Sequence, residues 1–185
     1  MSDDLRSRLV ATGVELVTAD GTAALTLREI ARRAGVSHGA PRRYFPTHRE
    51  LLAAVARVGY DRLAGRVAAL GVQPDPRAGL LALGRLYLEF ARTDRGMFEL
   101  MFRHDLLRGN QEGLRAASRP LFAVLVDLVA KARPGRDDAA VTAGALWANL
   151  HGIAQLWSWG SLQMTVETDD ADALLRAAID AYVEC

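Results

Sequence analysis

Two Thr-x-x-Glu boxes, Thr26-Leu27-Arg28-Glu29 and Thr47-His48-Arg49-Glu50, stand 21 residues apart and bound what this region can fold into. In such a box the threonine oxygen accepts the third helical amide while the glutamate reaches back to the cap's own amide, so each box starts a helix. The first helix runs from Thr26 to near Ala34, where Gly35 is placed to take the left-handed conformation that ends it. Before Thr47 there is then room for one short helix, about residues 38–44. Helix, tight glycine-bearing turn and helix is the helix-turn-helix arrangement.

Each position in that unit has a physical task. Ala31 is small where crossing helices would touch, Val36 plugs the gap, and Ser37 is of a residue type that caps the next helix. Pro41 and Phe45 lie four apart and can face inward with Leu27 and Ile30. His38 and Arg42 share another face, with Gly39 and Arg43 beside it, and nothing apolar there asks for burial. Pro41 cannot donate to the Ser37 carbonyl, so the short helix is expected to start late, near Ala40, or to lose its first hydrogen bond.

Charge is distributed accordingly. Residues 28–49 hold six arginines against the single acid Glu29, a local balance of +5; the chain totals +1, so the other 163 residues sum to −4. That asymmetry concentrates positive field where a polyanion would feel it, although a solvated basic helix face has the same composition. Arginine can bridge guanine O6 and N7, whereas serine, tyrosine and helix-end amides suit phosphates.

Elsewhere the apolar periodicity is helical, and no period-2 run reads as a strand. Residues 4–19 make a first helix that stops at Asp20-Gly21, the second capping box opens a long helix to about residue 70, and GVQPDP at 71–76 is the best linker. Further helices are expected at about 77–92, through Met97 to Phe102, at about 114–132 and after Thr168, with a loop over 103–113. The fold class is therefore all-α, of about nine helices. Half the 185 residues are apolar, enough for a sizeable core, and Cys185 is the sole cysteine, which excludes an intrachain disulfide and fits a cytoplasmic location. The N-terminal stretch MSDDLRSRLV carries two acids and no apolar run, so no targeting segment is expected.

Residues 139–166 contain no Asp, Glu, Lys or Arg over 28 positions. Interrupting glycines, internal Asn149, His151 and Gln155, and acidic flanks argue against a membrane span. A helix here carries the bulky stripe Leu146, Leu150, Ile153 and Trp157, and on roughly the opposite side the small row Ala140, Gly144, Ala148 and Gly152. Close backbone approach by a second subunit is an economical cover for the small row, giving a symmetric homodimer through Ala139–Trp157 and the last helix, Asp169–Val183. A central helix in a monomer is the alternative.

Residues 4 to about 64 resemble the DNA-binding domain of TetR-family transcriptional regulators, through Thr26, Ile30, Ala31, Ala34-Gly35-Val36-Ser37, Gly39, Tyr44-Phe45-Pro46 and Glu50-Leu51-Leu52. LWANLHGIAQL, residues 146–156, resembles the Trp/His-Gly-bearing effector domain found in part of that family. The resemblance implies a three-helix helix-turn-helix domain, 1–50, followed by an effector-binding and dimerisation bundle, 51–185, connected by a helix at about 48–70. It implies a homodimer on a palindromic double-stranded DNA operator, from which a small apolar or amphipathic effector releases a repressor. Arg42, Pro41 and His48 depart from the family pattern, which commonly has an aromatic residue, leucine and lysine there.

On that resemblance Thr26, Ser37, Tyr44 and His48 are assigned to phosphates and His38, Gly39, Ala40, Arg42 and Arg43 to the groove, with Arg28 also facing DNA. Tyr87, Phe90, Phe98, Met101, Phe102, Phe122, Trp147, His151 and Trp157 are the candidates for an apolar effector pocket, with plain core packing as the competing reading of each. No metal site and no cofactor are expected. An enzyme is disfavoured because the chain has no His-Glu-x-x-His, phosphate loop or nucleophile elbow, and a protein-interaction module using the basic helix is the other alternative.

Overall fold

The computed structural model describes residues 2–103 and 113–183, and for Ser2 and Asp3 the backbone alone. Nine α-helices and no strand occur among the described residues: α1 Ser2–Asp20, α2 Leu27–Arg33, α3 His48–Ala69, α4 Pro76–Thr93, α5 Arg95–Met101, α6 Leu114–Ala132, α7 Ala139–Ser158, α8 Ser161–Val166 and α9 Ala171–Val183. Two three-residue 3-10 helices, Thr22–Ala24 and Pro41–Arg43, flank α2. The expected loop over 103–113, with the neighbouring pair His104-Asp105, lies outside the described residues apart from Arg103 and Gly113.

The chain forms two compact units. Unit 1 comprises Met1–Arg62 with Asp94–Ala117, and unit 2 comprises Leu63–Thr93 with Ser118–Cys185. Residues 51–62 and α5, assigned to the second domain by the sequence reading, thus belong with the helix-turn-helix. The core of unit 1 joins Leu9, Leu16, Val17, Leu25, Ile30, Phe45, Leu51 and Val55 to Met97, Leu100 and Met101 of α5, all fully or almost fully buried. Each such side chain contributes about 1.5–3 kcal/mol by leaving water. Gly96 shows how close α5 comes to α1: a β-carbon there would lie 2.1 Å from the Val17 carbonyl oxygen, so no larger residue fits without displacing backbone. The C-terminus of α5 is held as well, because the buried Tyr60 hydroxyl donates to the Met101 carbonyl at 3.0 Å. Burial pushes that phenol up to about 12.

In unit 2, α4, α7 and α9 pack on one another. Arg77 of α4 donates to Asp180 of α9 at 2.8 Å, and Arg85 of α4 pairs with Asp172. Helix α7 covers one face, burying Ala143, Leu146, Leu150, Ile153 and Ala154. Its other face lies open: Val141 is 77% and Trp159, the residue after its last turn, 62% exposed, with Ala140, Ala145 and Ala148 exposed between them. The small row expected opposite the bulky stripe is on that open side, and a β-carbon added to Gly144 or Gly152 would meet nothing within 4 Å. No helix among the described residues is long and apolar enough to cross a membrane.

Candidate DNA-reading head and ligand cluster

The head begins with a half-formed capping box. Thr26 Oγ1 accepts the Glu29 amide at 3.2 Å, as expected, but Thr26's own amide donates to the Ala24 carbonyl at 2.8 Å. With that amide taken, the Glu29 carboxylate does not close the box and accepts from arginines instead: Arg32 Nε at 2.8 Å, Arg32 Nη2 at 2.6 Å and Arg33 Nε at 3.0 Å. Arg33 also reaches Asp20 at the end of α1, 2.6 Å away. Hydrogen bonds from Arg32, then from Arg33, hold the Glu29 carboxyl down to about 2, so it stays ionised throughout the physiological range. Two of the six arginines counted in the basic segment are therefore offset within the fold. Arg28, Arg42, Arg43 and Arg49 are exposed and have no acidic partner among the described residues.

Helix α2 ends in a Schellman motif. Gly35 adopts φ 68°, its amide donates to the Arg32 carbonyl at 3.2 Å, and the Val36 amide donates to the Ala31 carbonyl at 3.0 Å. Arg8 of α1 donates to the Ala34 carbonyl at 2.8 Å, supplying a cation where helix-end carbonyls point. Sequence periodicity gave no sign of this contact, which joins residues 26 apart.

The next element differs from the α-helix expected over 38–44. Its regular part is the 3-10 helix Pro41–Arg43, whose N-cap is Ala40, without a capping side chain, in place of the expected Ser37. Proline is the physical cause. Pro41 has no amide hydrogen for the Ser37 carbonyl, and the Ala40 amide takes that carbonyl at 3.0 Å. The tighter register continues with Arg43 to Ala40 at 3.2 Å and Tyr44 to Pro41 at 3.0 Å. The lost α-helical bond thus leaves no orphaned acceptor, and both expected effects of the proline occur: the late start and the missing first bond. Pro41 and Phe45 are buried as expected, and the Arg6 guanidinium sits 5.0 Å from the centroid of the Phe45 ring.

Ser37, His38, Gly39, Arg42 and Arg43 are exposed on this turn, with Ala40 and Tyr44 half-buried. His48, on the first turn of α3, has its Nε2 against the Leu25 carbonyl. A carbonyl only accepts, so Nε2 carries the hydrogen there and His48 has a structural task besides any phosphate contact. Thr26 is in a similar position, yet a hydroxyl that accepts from Glu29 keeps its own hydrogen to donate.

The nine effector-pocket candidates divide between the units. Phe98, Met101 and Phe102 belong to unit 1, where Phe98 and Phe102 meet edge-on at 4.9 Å and Phe102 meets Tyr60 at 6.4 Å. In unit 2 Phe90 is fully buried beneath the Arg66 guanidinium, and Trp157 is half-buried. Four others form a chain of rings: Phe122 to Trp147 at 6.3 Å, Trp147 to His151 at 6.2 Å, and His151 to Tyr87 at 6.3 Å. The Tyr87 hydroxyl and His151 Nδ1 lie 2.8 Å apart, and burial lowers the imidazole pKa, favouring its neutral form. Among the described residues no group of three potential ligands gathers to hold a metal ion.

Residues 9–55 match the family described as bacterial regulatory proteins, tetR family, which makes the exposed turn after α2 part of a DNA-binding helix-turn-helix. The protein is thus a transcriptional regulator and not an enzyme. Residues 80–182 match the tetracyclin repressor-like C-terminal domain, and the chain belongs to the TetR family. Its relatives include a protein of unknown function from Rhodococcus sp. RHA1, 31% identical, with a TM-score of 0.79 over 97% of this chain and 94% of that one. The multidrug binding protein EbrR, solved in complex with ethidium, is 25% identical with a TM-score of 0.68, over 97% of this chain and 98% of that one. The nucleoid occlusion factor SlmA of Marinobacter nauticus is 30% identical over 118 residues, 63% of this chain and 60% of the relative's length.

Proposed function

We propose that the protein is a ligand-responsive repressor that binds a palindromic operator as a homodimer in the cytoplasm and is released by a small apolar or amphipathic effector. The observation that carries this reading is the set of exposed arginines without acidic partners among the described residues, Arg28, Arg42, Arg43 and Arg49, around a turn anchored by Pro41 and Phe45. Arg42 and Arg43, with His38, Gly39 and Ala40, face the groove; Thr26, Ser37, Tyr44 and His48 face phosphates, and Arg28 flanks them.

Salt titration of operator binding tests it. Arg28 and Arg49, the two available arginines outside the groove set, give a dimer about four phosphate contacts and a log–log salt slope of about −4; if Arg42 and Arg43 also displaced counterions the slope would reach about −7, and with all six about −11. Affinity that does not change with salt on any DNA sequence would refute the reading.

The open face of α7 supports the dimer. Exposed apolar side chains flank a row where added β-carbons meet nothing, and that shape admits a second helix at short range. Exposed Ala173, Ala177 and Ala181 extend a small-residue line along α9, in the second segment expected at the interface. The ring chain of Tyr87, Phe122, Trp147 and His151 is the part of the candidate pocket best suited to an effector, and EbrR's complex with ethidium supports a planar aromatic one.

A further inference from the structure

We infer that the effector is a planar aromatic acid, seated on Phe122 and Trp147 with its anionic group toward Arg119, and not an aromatic cation. The inference rests on the effector reading of the ring chain and adds the sign of the ligand's charge.

In a single protomer Phe122 is 36% and Trp147 39% exposed, and they meet edge-on; Trp147 lies in the segment proposed for the dimer, so a ligand here sits beside that contact. A ring face met edge-on by a second ring leaves one broad aromatic face for a flat ligand to stack on, and ring contact alone accepts either sign of charge. The surrounding charges decide between them. Helix α7, which carries Trp147 and His151, has no acidic residue at all. Helices α4 and α6, which carry Tyr87 and Phe122, have one acid each, Glu89 and Asp127. Glu89 is held by Arg92 at 2.8 Å and Asp127 by Lys131 at 2.6 Å. At about 100° per residue, Glu89 lies about 160° round its helix from Tyr87, and Asp127 about 140° round from Phe122. Neither carboxylate is placed to neutralise a cation on the rings. The polar pair in the chain, Tyr87 and His151, is a phenol joined to an imidazole and supplies no negative charge.

A cation, by contrast, is at hand. Arg119 precedes Phe122 by three residues on α6, about 60° round the helix, so the two share a side. Arg119 is exposed and has no acidic partner among the described residues. A guanidinium takes a carboxylate through two parallel hydrogen bonds, which gives direction as well as attraction.

The test uses the full chain and aromatic probes of different charge: 2-naphthoate and the uncharged 2-naphthamide, matched in size, and the larger cation ethidium. Binding is read by calorimetry on wild type, Arg119→Ala, Arg119→Lys and Trp147→Ala. The expected result is saturable binding with naphthoate about tenfold or more tighter than the amide, the scale of one charge-assisted contact. Arg119→Ala brings naphthoate to the level of the amide without weakening the amide, Arg119→Lys restores part of the difference, and Trp147→Ala weakens both. Ethidium binding more tightly than naphthoate through Trp147, or an amide matching the acid, overturns the charge assignment and leaves the ring chain as effector site. Binding of no probe, or binding indifferent to Trp147→Ala, overturns the site together with the inference.

Discussion

The reading turn and the outer face of α7 are both exposed, but exposure has opposite meanings in the two places. On the turn the exposed groups are arginines and a histidine, which water solvates well and which can wait indefinitely for a phosphate. On α7 and at its C-terminal end they are Val141, Ala145, Ala148 and Trp159, and each square ångström of that apolar surface costs about 25 cal/mol to leave in water. The turn is held by main-chain bonds three residues apart and by two buried anchors, Pro41 and Phe45, so it keeps its shape without a partner. The α7 face has no such self-sufficiency. In the proposed dimer the head meets a transient partner and α7 a standing one.

Moving charge between the two places tests this contrast. The largest effect should follow from putting charge where there is none: Ala148→Glu places a carboxylate in the proposed dimer contact, and sedimentation should show dissociation about a hundredfold or more easier, a penalty of several kcal/mol. A variant that remains a dimer at low micromolar concentration would place the contact elsewhere. Removing charge from the turn is smaller. Arg42→Ala should lower operator affinity by about tenfold or more, the 1–3 kcal/mol of a base-reading arginine, and flatten specificity at one position. Arg32→Ala sharpens the comparison, because this equally basic residue already donates to Glu29; its loss should change operator affinity by no more than about twofold.

The smallest effect concerns acid. Glu29 has its pKa lowered from 4.5 to about 2, so its contribution to stability is complete above 4.5 and is lost as pH falls from there toward 2. Thermal denaturation of Glu29→Gln should therefore differ from wild type at pH 6 and converge with it near pH 2. A difference that persists to pH 2 would mean that the arginine contacts are not what holds this carboxyl.

Much of the fold was legible because its signals are local. Thr26, Thr47 and Gly35 each act within one turn of chain, and all three occupy the cap and terminator positions their types suggest. Pro41 gave its consequence in advance for the same reason, since the missing amide is a property of one residue. What could not be read depended on distant partners. Glu29 fails to close its box because a preceding 3-10 turn offers Thr26 a nearer acceptor, and Asp20 then meets Arg33 from 13 residues away. His48 meets a carbonyl 23 residues back, and Arg8 caps a helix 26 residues ahead. Phe98, Met101 and Phe102 are pocket candidates by sequence with core packing as the competing reading, and chain order did not reveal that α5 would pack against α1. No sequence period records which of two neighbours a helix chooses.

Gly96 also says where this regulator can be divided. A chimera that transplants residues 1–62 onto another effector bundle would omit α5, uncover the floor on which Met97, Leu100 and Met101 rest, and leave the last turn of α1 without its neighbour. The transferable module is discontinuous: it needs the helix that returns after α4, glycine included. For anyone re-engineering such a regulator, the seam runs through the structure and not through a single point in the gene.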